Sequence, residues 1–316
     1  MYFYPVTKSI KHMNLREMKF TNPETGRKVG YWIAKYKGLI PQELLTAEKS
    51  SSRSKRNALV LREEVEVKTI KIKDLNFDSR LFVPMSTGNN VLDNFISSEG
   101  GFMPASNVVM IGSPGIGKST VCLDLLSRLA RNGGKRVLFV SGEMNRIDMY
   151  RYCRRFPEFA NLDTLFLSDY SHLPQQAIEK AFKIGYDAIL IDSFAEVIGC
   201  VQDANGWSNK KAETWLIDLM EGHNEGKNDT NSFTCFMVIQ QVTKNGDFLG
   251  SNRLKHMTSA MLEMYRDRNN DCNVMEFTKN RLGTAGDQIA FRIDTDTVSF
   301  SYVNDGNDDT KEGDGE

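Results

Sequence analysis

The sequence predicts an α/β fold: a mostly parallel central sheet covered by helices, antiparallel strands at its C-terminal end, and a small N-terminal segment. Two observations predict it. From about residue 82, short and nearly continuous apolar runs alternate with helix-patterned stretches, as in βαβ units whose strands are buried on both faces. Toward the C-terminus the connections shorten, and three strand-like runs follow one another in the manner of an antiparallel meander. Composition agrees: 316 residues with 40% apolar and 26% charged content describe a globular chain.

Taken in order, residues 1–45 form a small basic region. Within it "REMKFTNPETGRKVGYWIAKYKG" reads as strand–turn–strand, with Asn22-Pro23 and Gly26 marking the turn. Residues 46–81 read as a linker and an edge strand. The linker is the Ser- and Lys/Arg-rich "TAEKSSSRSKRNA" (46–58), and the strand is the alternating "EVEVKTIKIKDL" (64–75). Residues 82–303 carry the main domain. Its candidate strands are "NVVMIG" (107–112), "RVLFVSG" (136–142), "TLFLSD" (164–169), "AILIDS" (188–193) and "TCFMVIQQV" (234–242). The stretch "KSTVCLDLLSRLARNGG" is helical and ends in a Gly-Gly of C-cap type. The closing meander is "NVMEFTKN", "QIAFRID" and "TVSFSYV". Residues 304–316 form an acidic tail with no apolar residue, expected to be disordered.

Charge and cysteine usage narrow the function classes. The net charge is −1, but residues 1–60 carry twelve Lys/Arg against four Asp/Glu, while the tail has a balance of −5. The basic start suits nucleic acid as well as it suits a solvated surface. No apolar run reaches the roughly 18 residues of a membrane span, and "MYFYPVTKSIKHM" lacks the apolar core of a secretion signal. The expectation is therefore a cytoplasmic protein without a membrane partner. Cys122, Cys153, Cys200, Cys235 and Cys272 are scattered singly, which fits reduced, mostly buried thiols and signals neither a zinc knuckle nor a dithiol site.

The chemistry starts at "GSPGIGKST", residues Gly112, Ser113, Pro114, Gly115, Ile116, Gly117, Lys118, Ser119 and Thr120. It satisfies G-x-x-x-x-G-K-[ST] between an apolar strand and an amphipathic helix, the context a phosphate loop requires. Glycines let backbone N–H groups curl around phosphate oxygens, and the helix N-terminus adds its positive dipole end. Lys118 then reaches the β/γ-phosphates and Ser119 offers its hydroxyl to Mg²⁺. "AILIDS" places Asp192 at the end of a buried strand, where a carboxylate holds the Mg²⁺ shell. "VLFVSGEM" delivers Glu143 to the ligand-bearing edge of the sheet, in reach of a water in line with the γ-phosphate. The alternative for Glu143 is a first-turn glutamate of the next helix.

These motifs, together with "STGNNVLDNFISSEGG" (86–101), "VTKNGDFLGSNRLKHM" (242–257) and "TKNRLG" (278–283), occur in an order that resembles the ATPase core of the RadA (Sms) proteins, a bacterial branch of the RecA superfamily. The resemblance covers residues 82–303. It implies a RecA-like core that uses ATP and Mg²⁺, acts on single-stranded or branched DNA in recombination and repair, and assembles as a homo-oligomeric ring, usually a hexamer. It implies that Lys118, Ser119 and Asp192 bind ATP–Mg²⁺, that Glu143 activates water, and that Gln241 senses the γ-phosphate. RadA proteins usually carry His at that last position; RecA and replicative helicases carry Gln. Two Gly-containing loops, 199–211 and 243–256, are then expected to face DNA, with Lys210, Lys211, Lys244, Arg253 and Lys255 as phosphate contacts. Lys279 and Arg281, otherwise an ordinary charged turn, are expected to enter a neighbouring subunit's site as a trans-acting finger.

Two departures stand out. RadA proteins usually have a four-cysteine zinc finger, whereas residues 1–81 contain no cysteine, and the Lon-protease-like domain that follows the core in RadA has no counterpart before the acidic tail. A compact form of this kind suits a bacterial or phage-infected cytoplasm. Two other readings compete. A DnaB-type replicative helicase shares the core, the strand-end glutamate and the Gln sensor, but "VTKNGDFLG" differs from helicase wording after the sensor strand. A non-motor regulatory or scaffold ATPase would bind ATP without DNA-stimulated turnover, and Glu143 argues against it.

Overall fold

The computed structural model describes residues 19–23, 25–40, 69–226, 232–242 and 252–303. The linker at 46–58, the tail at 304–316, and Lys244 with most of its loop lie outside them. The chain divides into two compact units between Leu75 and Asn76.

The first unit holds a short hairpin, β1 (Lys19–Thr21) and β2 (Lys28–Gly30), paired antiparallel with Phe20 opposite Val29. The Asn22 carbonyl accepts from the Gly26 amide across the turn, at 2.8 Å. After Gly30 the structure departs from the expected second strand. Residues Tyr31–Tyr36 form a helix, α1, because Tyr31 and Ala34, three residues apart, turn one face inward against Phe20 and Val29. The edge strand expected at 64–75 is also absent over its described part. Residues 69–71 are irregular and Ile72–Asp74 is a 3₁₀ turn, with Ile70 and Ile72 exposed. No strand pairs with it among the described residues, so its alternation has no sheet to act on.

The second unit is built on a nine-stranded sheet whose strands lie in the spatial order 298–302, 288–293, 272–280, 260–267, 107–112, 235–239, 188–192, 137–141 and 163–166. Helix α2 (Asn90–Ile96), capped by the Asn89 side chain, precedes β3 (Asn107–Gly112). Helix α3 (Lys118–Gly133) ends at Gly134 in the left-handed region. β4 (Val137–Ser141) leads to α4 (Arg146–Arg155), which opens with a capping box of Asn145 and Asp148. β5 (Asp163–Phe166) is shorter than its apolar run because Leu167–Tyr170 closes into a 3₁₀ turn. α5 (Pro174–Phe182), β6 (Ala188–Asp192), α6 (Phe194–Asn205), α7 (Asn209–Asn224) and β7 (Cys235–Ile239) follow. A short helix, α8 (Asn252–Met257), leads into β8 (Ala260–Asp267), β9 (Cys272–Asn280), β10 (Gln288–Ile293) and β11 (Val298–Tyr302). β3 through β8 are mutually parallel, and β9, β10 and β11 are added antiparallel.

Successive residues of each central strand enter two separate cores, which is why those strands read as unbroken apolar runs. Val108 and Met110 pack with α2 and α3, whereas Val109 and Ile111 pack with α6 and α7. Phe139 and Leu190 share the first core, and Val140 and Ile191 the second. The expectation of mostly buried thiols is only partly met: Cys122 and Cys235 are buried, but Cys153, Cys200 and Cys272 are half-buried. Among the described residues no helix is long and apolar enough to cross a membrane.

Candidate nucleotide-binding site

The site forms where the parallel strands end. Gly112 closes β3 with φ 153°, so close to β8 that a Cβ would collide with the Met264 carbonyl oxygen. Gly117 has φ 105°, and its missing side chain leaves room for Ile293 of β10. These two positions let the loop 113–116 fold over the N-terminus of α3. The Lys118 Nζ donates to the Gly112 carbonyl at 2.7 Å and to that of Ser113 at 3.0 Å, and so holds the loop from inside. Burial lowers its pKa, opposed by the charges of Cys122, Asp192 and Glu143.

Asp192 is the last residue of β6 and is buried. The cap of α6 is its neighbour Ser193, whose hydroxyl accepts from the Glu196 amide, so Asp192 is left for another task. The peptide joining them is cis. The Ser119 hydroxyl stands near the Asp192 carboxyl and holds its pKa down somewhat, while the Asp192 Oδ2 is buried without a hydrogen-bond partner. Burial raises its pKa to about 6, and Glu143 adds to the rise. A buried acceptor beside a serine hydroxyl fits a divalent cation that takes most of its ligands from phosphates and water. No group of three or more His, Cys, Asp or Glu able to hold a metal ion exists among the described residues.

Glu143 lies in the bend after β4, ahead of the α4 cap, and is exposed. Its bend is fixed on both sides. The Gly142 amide donates to the Asp192 carbonyl at 2.8 Å, and the Ser141 hydroxyl donates to the Met144 carbonyl at 2.7 Å. Gln241 follows β7, past Gln240, whose amide donates to the Met110 carbonyl of β3 at 2.9 Å. Gly112, Pro114, Gly115, Gly117, Lys118, Ser119, Thr120, Glu143, Asp192 and Gln241 all line one cleft of about 440 Å³. Sequence reading missed Tyr152 and Arg155 of α4, and Ile293 of β10, which wall the same cleft. Arg155 donates to the carbonyls of Thr295 and Asp294, both at 2.7 Å, and so ties α4 to the β10–β11 turn. Nothing local marks these residues; only the packing of α4 against the sheet end brings them in.

The remaining site residues lie elsewhere. Val108 at the start of β3 pairs with Ala260 of β8, and Ala260 with Asn280 at the end of β9; Gly112 pairs with Met264, and Met264 with Met275. Lys279 and Arg281 thus sit at the opposite edge of the sheet from the phosphate loop, about 13 Å along the strands, and neither lines the cleft. The Lys279 ammonium donates to the carbonyls of Lys255 at 2.8 Å and Thr258 at 2.6 Å, at the end of α8. Burial and the neighbouring Arg281 lower its pKa. Arg281 is exposed; its amide donates to the Ser259 carbonyl.

The expected loop 199–211 is a correction. Residues up to Asn205 belong to α6, Gly206 caps it in the left-handed region, and Lys210 and Lys211 lie in the first turn of α7. Ser208 caps that turn, and the Lys211 Nζ rests 4.0 Å from the Trp207 ring centroid. Gly199 lies inside α6 and Gly206 caps it, so neither loosens a loop. Arg253 and Lys255 lie in α8, where Arg253 forms ion pairs with Asp218 and Glu221 of α7.

Fold and site together define a nucleotide-binding domain with a phosphate loop on the edge of a mixed sheet. Residues 85–233, a little under half of the chain, are similar to the family model described as "ATPase: KaiC". The DNA repair protein RadA of Campylobacter jejuni is 30% identical over 233 residues, which are 73% of this chain and 49% of that protein. Its counterpart in Streptococcus pyogenes is 28% identical over 272 residues, 84% of this chain and 56% of that protein. The chain thus spans about half the length of the curated relatives it matches. Two solved structures share the fold. A KaiC-like protein of Pyrococcus horikoshii has TM-score 0.52, 15% identity, and coverage of 69% of this chain and 99% of that one. The flagellar accessory protein FlaH of Methanocaldococcus jannaschii has TM-score 0.53, 13% identity, and coverage of 70% and 100%.

Proposed function

We propose that this chain is a DNA-dependent ATPase motor whose working form is a homo-oligomeric ring, acting on single-stranded or branched DNA in recombination and repair. The observation that carries the ATPase part is the meeting of Lys118, Ser119, Asp192, Glu143 and Gln241 around one cleft, with the Glu143 bend bonded to the Asp192 strand end. Lys118 faces the β/γ-phosphates and neutralises charge that develops on them. Ser119 and Asp192 hold Mg²⁺, which screens phosphate charge when bound. Glu143 orients and deprotonates the attacking water. Gln241 stands at the end of β7 to feel the γ-phosphate. The DNA part rests on the curated relatives, which are named as DNA repair proteins. The oligomer rests on Arg281, exposed and far from its own cleft, together with Lys279, as groups for a neighbour's phosphates.

ATP turnover of the purified full chain, with and without single-stranded DNA, tests this. Wild type turns over ATP with Mg²⁺ and faster with DNA. Lys118→Ala abolishes turnover, and Glu143→Gln lowers it about 10²–10⁴-fold while nucleotide still binds. Full turnover in Lys118→Ala overturns the site. Binding of ATP with no turnover under any condition favours a regulatory ATPase instead.

A further inference from the structure

The first unit exposes large aromatic area on α1, where the Trp32 ring meets Tyr31 edge-on at 5.2 Å and keeps most of its surface open. Tyr31 and Ala34 of α1 fill its small core, yet Trp32 is 66% and Tyr36 93% exposed. The two rings stand four residues apart, so their Cβ atoms are about 6 Å apart on one helix face. Lys35 lies between them in sequence, with its Nζ 5.8 Å from the Trp32 ring centroid. In the same short unit Lys19, Arg27, Lys28, Lys35 and Lys37 are all exposed, and the sequence of residues 19–40 holds a single acid, Glu24. A protein-docking surface would not call for so one-sided a charge. A polyanion that also offers flat π-faces calls for both features: rings for bases and cations for the phosphates between them.

We propose that the β1–β2–α1 unit is a second nucleic-acid site, separate from the ATP domain, in which Trp32 and Tyr36 stack on successive bases of a single strand and Lys28, Lys35 and Lys37 meet its backbone. Stacking on an aromatic pair does not read sequence, so the site takes any unpaired strand. The inference deepens the DNA part of the proposed function and rests on it.

The test uses the full chain, a labelled oligodeoxythymidylate and fluorescence anisotropy, with ATP turnover in parallel. Trp32→Ala and Tyr36→Ala each weaken binding about tenfold, and basal ATP turnover stays at the wild-type level. Trp32→Phe retains most of the affinity, whereas Trp32→Leu, equally apolar but without a π-face, does not. Tryptophan emission falls on adding the oligonucleotide, and that quench disappears in Trp32→Phe. Wild-type affinity in Trp32→Ala and Tyr36→Ala overturns the second site and leaves the DNA-dependent motor standing. Wild-type affinity accompanied by lost self-association in sedimentation overturns it in favour of a contact between copies. No binding of the strand by the wild type, with ATP turnover intact, removes the DNA partner altogether.

Discussion

At the scale of single residues, Asp192 shows what the site costs the fold. Its pKa stands at about 6 in the folded chain against 3.8 for a free carboxyl, and burial is the largest cause. Between those two values the folded protein holds a proton that the unfolded chain has released. Stability therefore falls as pH rises through that window, and above it the buried carboxylate costs about 3 kcal/mol. Asp192→Asn removes the cost while keeping the shape and polarity of the side chain beside Ser119. In thermal melts at pH 8 the variant is expected to melt several degrees above the wild type, and at pH 4 the two coincide. Mg²⁺ with a nucleotide then raises the melting temperature of the wild type but not of the variant. Equal gains at both pH values would show that the carboxylate is not strained by its setting. The place of Asp192 in the cleft was legible from "AILIDS", because an acid at the end of a buried parallel strand lies on the ligand-bearing edge of the sheet. Tyr152 and Arg155 were not, since an ordinary surface helix reads the same way.

At the scale of elements, the connections set the geometry of the cleft. Gly142 sits between β4 and Glu143, and a Cβ there would lie 3.0 Å from the Val197 amide nitrogen and 3.1 Å from the Glu196 Cβ of α6. Gly142→Ala must push the bend a few tenths of an ångström off α6 and carry Glu143 with it. The expected outcome in steady-state kinetics is a kcat lowered about tenfold, with the KM for ATP and the melting temperature near wild type. A change confined to KM would mean that the bend positions nucleotide rather than water. The strands around this site were readable because burial on both faces writes a continuous apolar run. β8 was not read: "AMLEMYRD" mixes Glu263, Arg266 and Asp267 into its run, since it is the strand where parallel pairing to β3 gives way to antiparallel pairing to β9. Residues 199–211 were misread for the converse reason. Gly199 lies inside α6 and Gly206 ends it, so glycines that looked like loosening are one helical residue and one cap.

At the scale of the whole molecule, the sheet separates the two halves of the proposed catalytic device. The phosphate loop occupies one edge and Arg281 the other, so no single copy brings them together; on the proposed reading a neighbour does. Such an interface joins two different surfaces and repeats around a ring. It also makes complementation measurable. Lys118→Ala destroys a subunit's own cleft but leaves its Arg281, whereas Arg281→Ala keeps the cleft and loses the finger. Each variant alone is expected to show little DNA-stimulated turnover. Mixed in equal amounts and allowed to exchange subunits, they pair an intact cleft with an intact Arg281 at about a quarter of the interfaces, and turnover recovers to about that fraction of wild type. An inert mixture places Arg281 outside the neighbour's site. Full activity of Arg281→Ala by itself leaves the residue as an ordinary exposed charge at the end of β9.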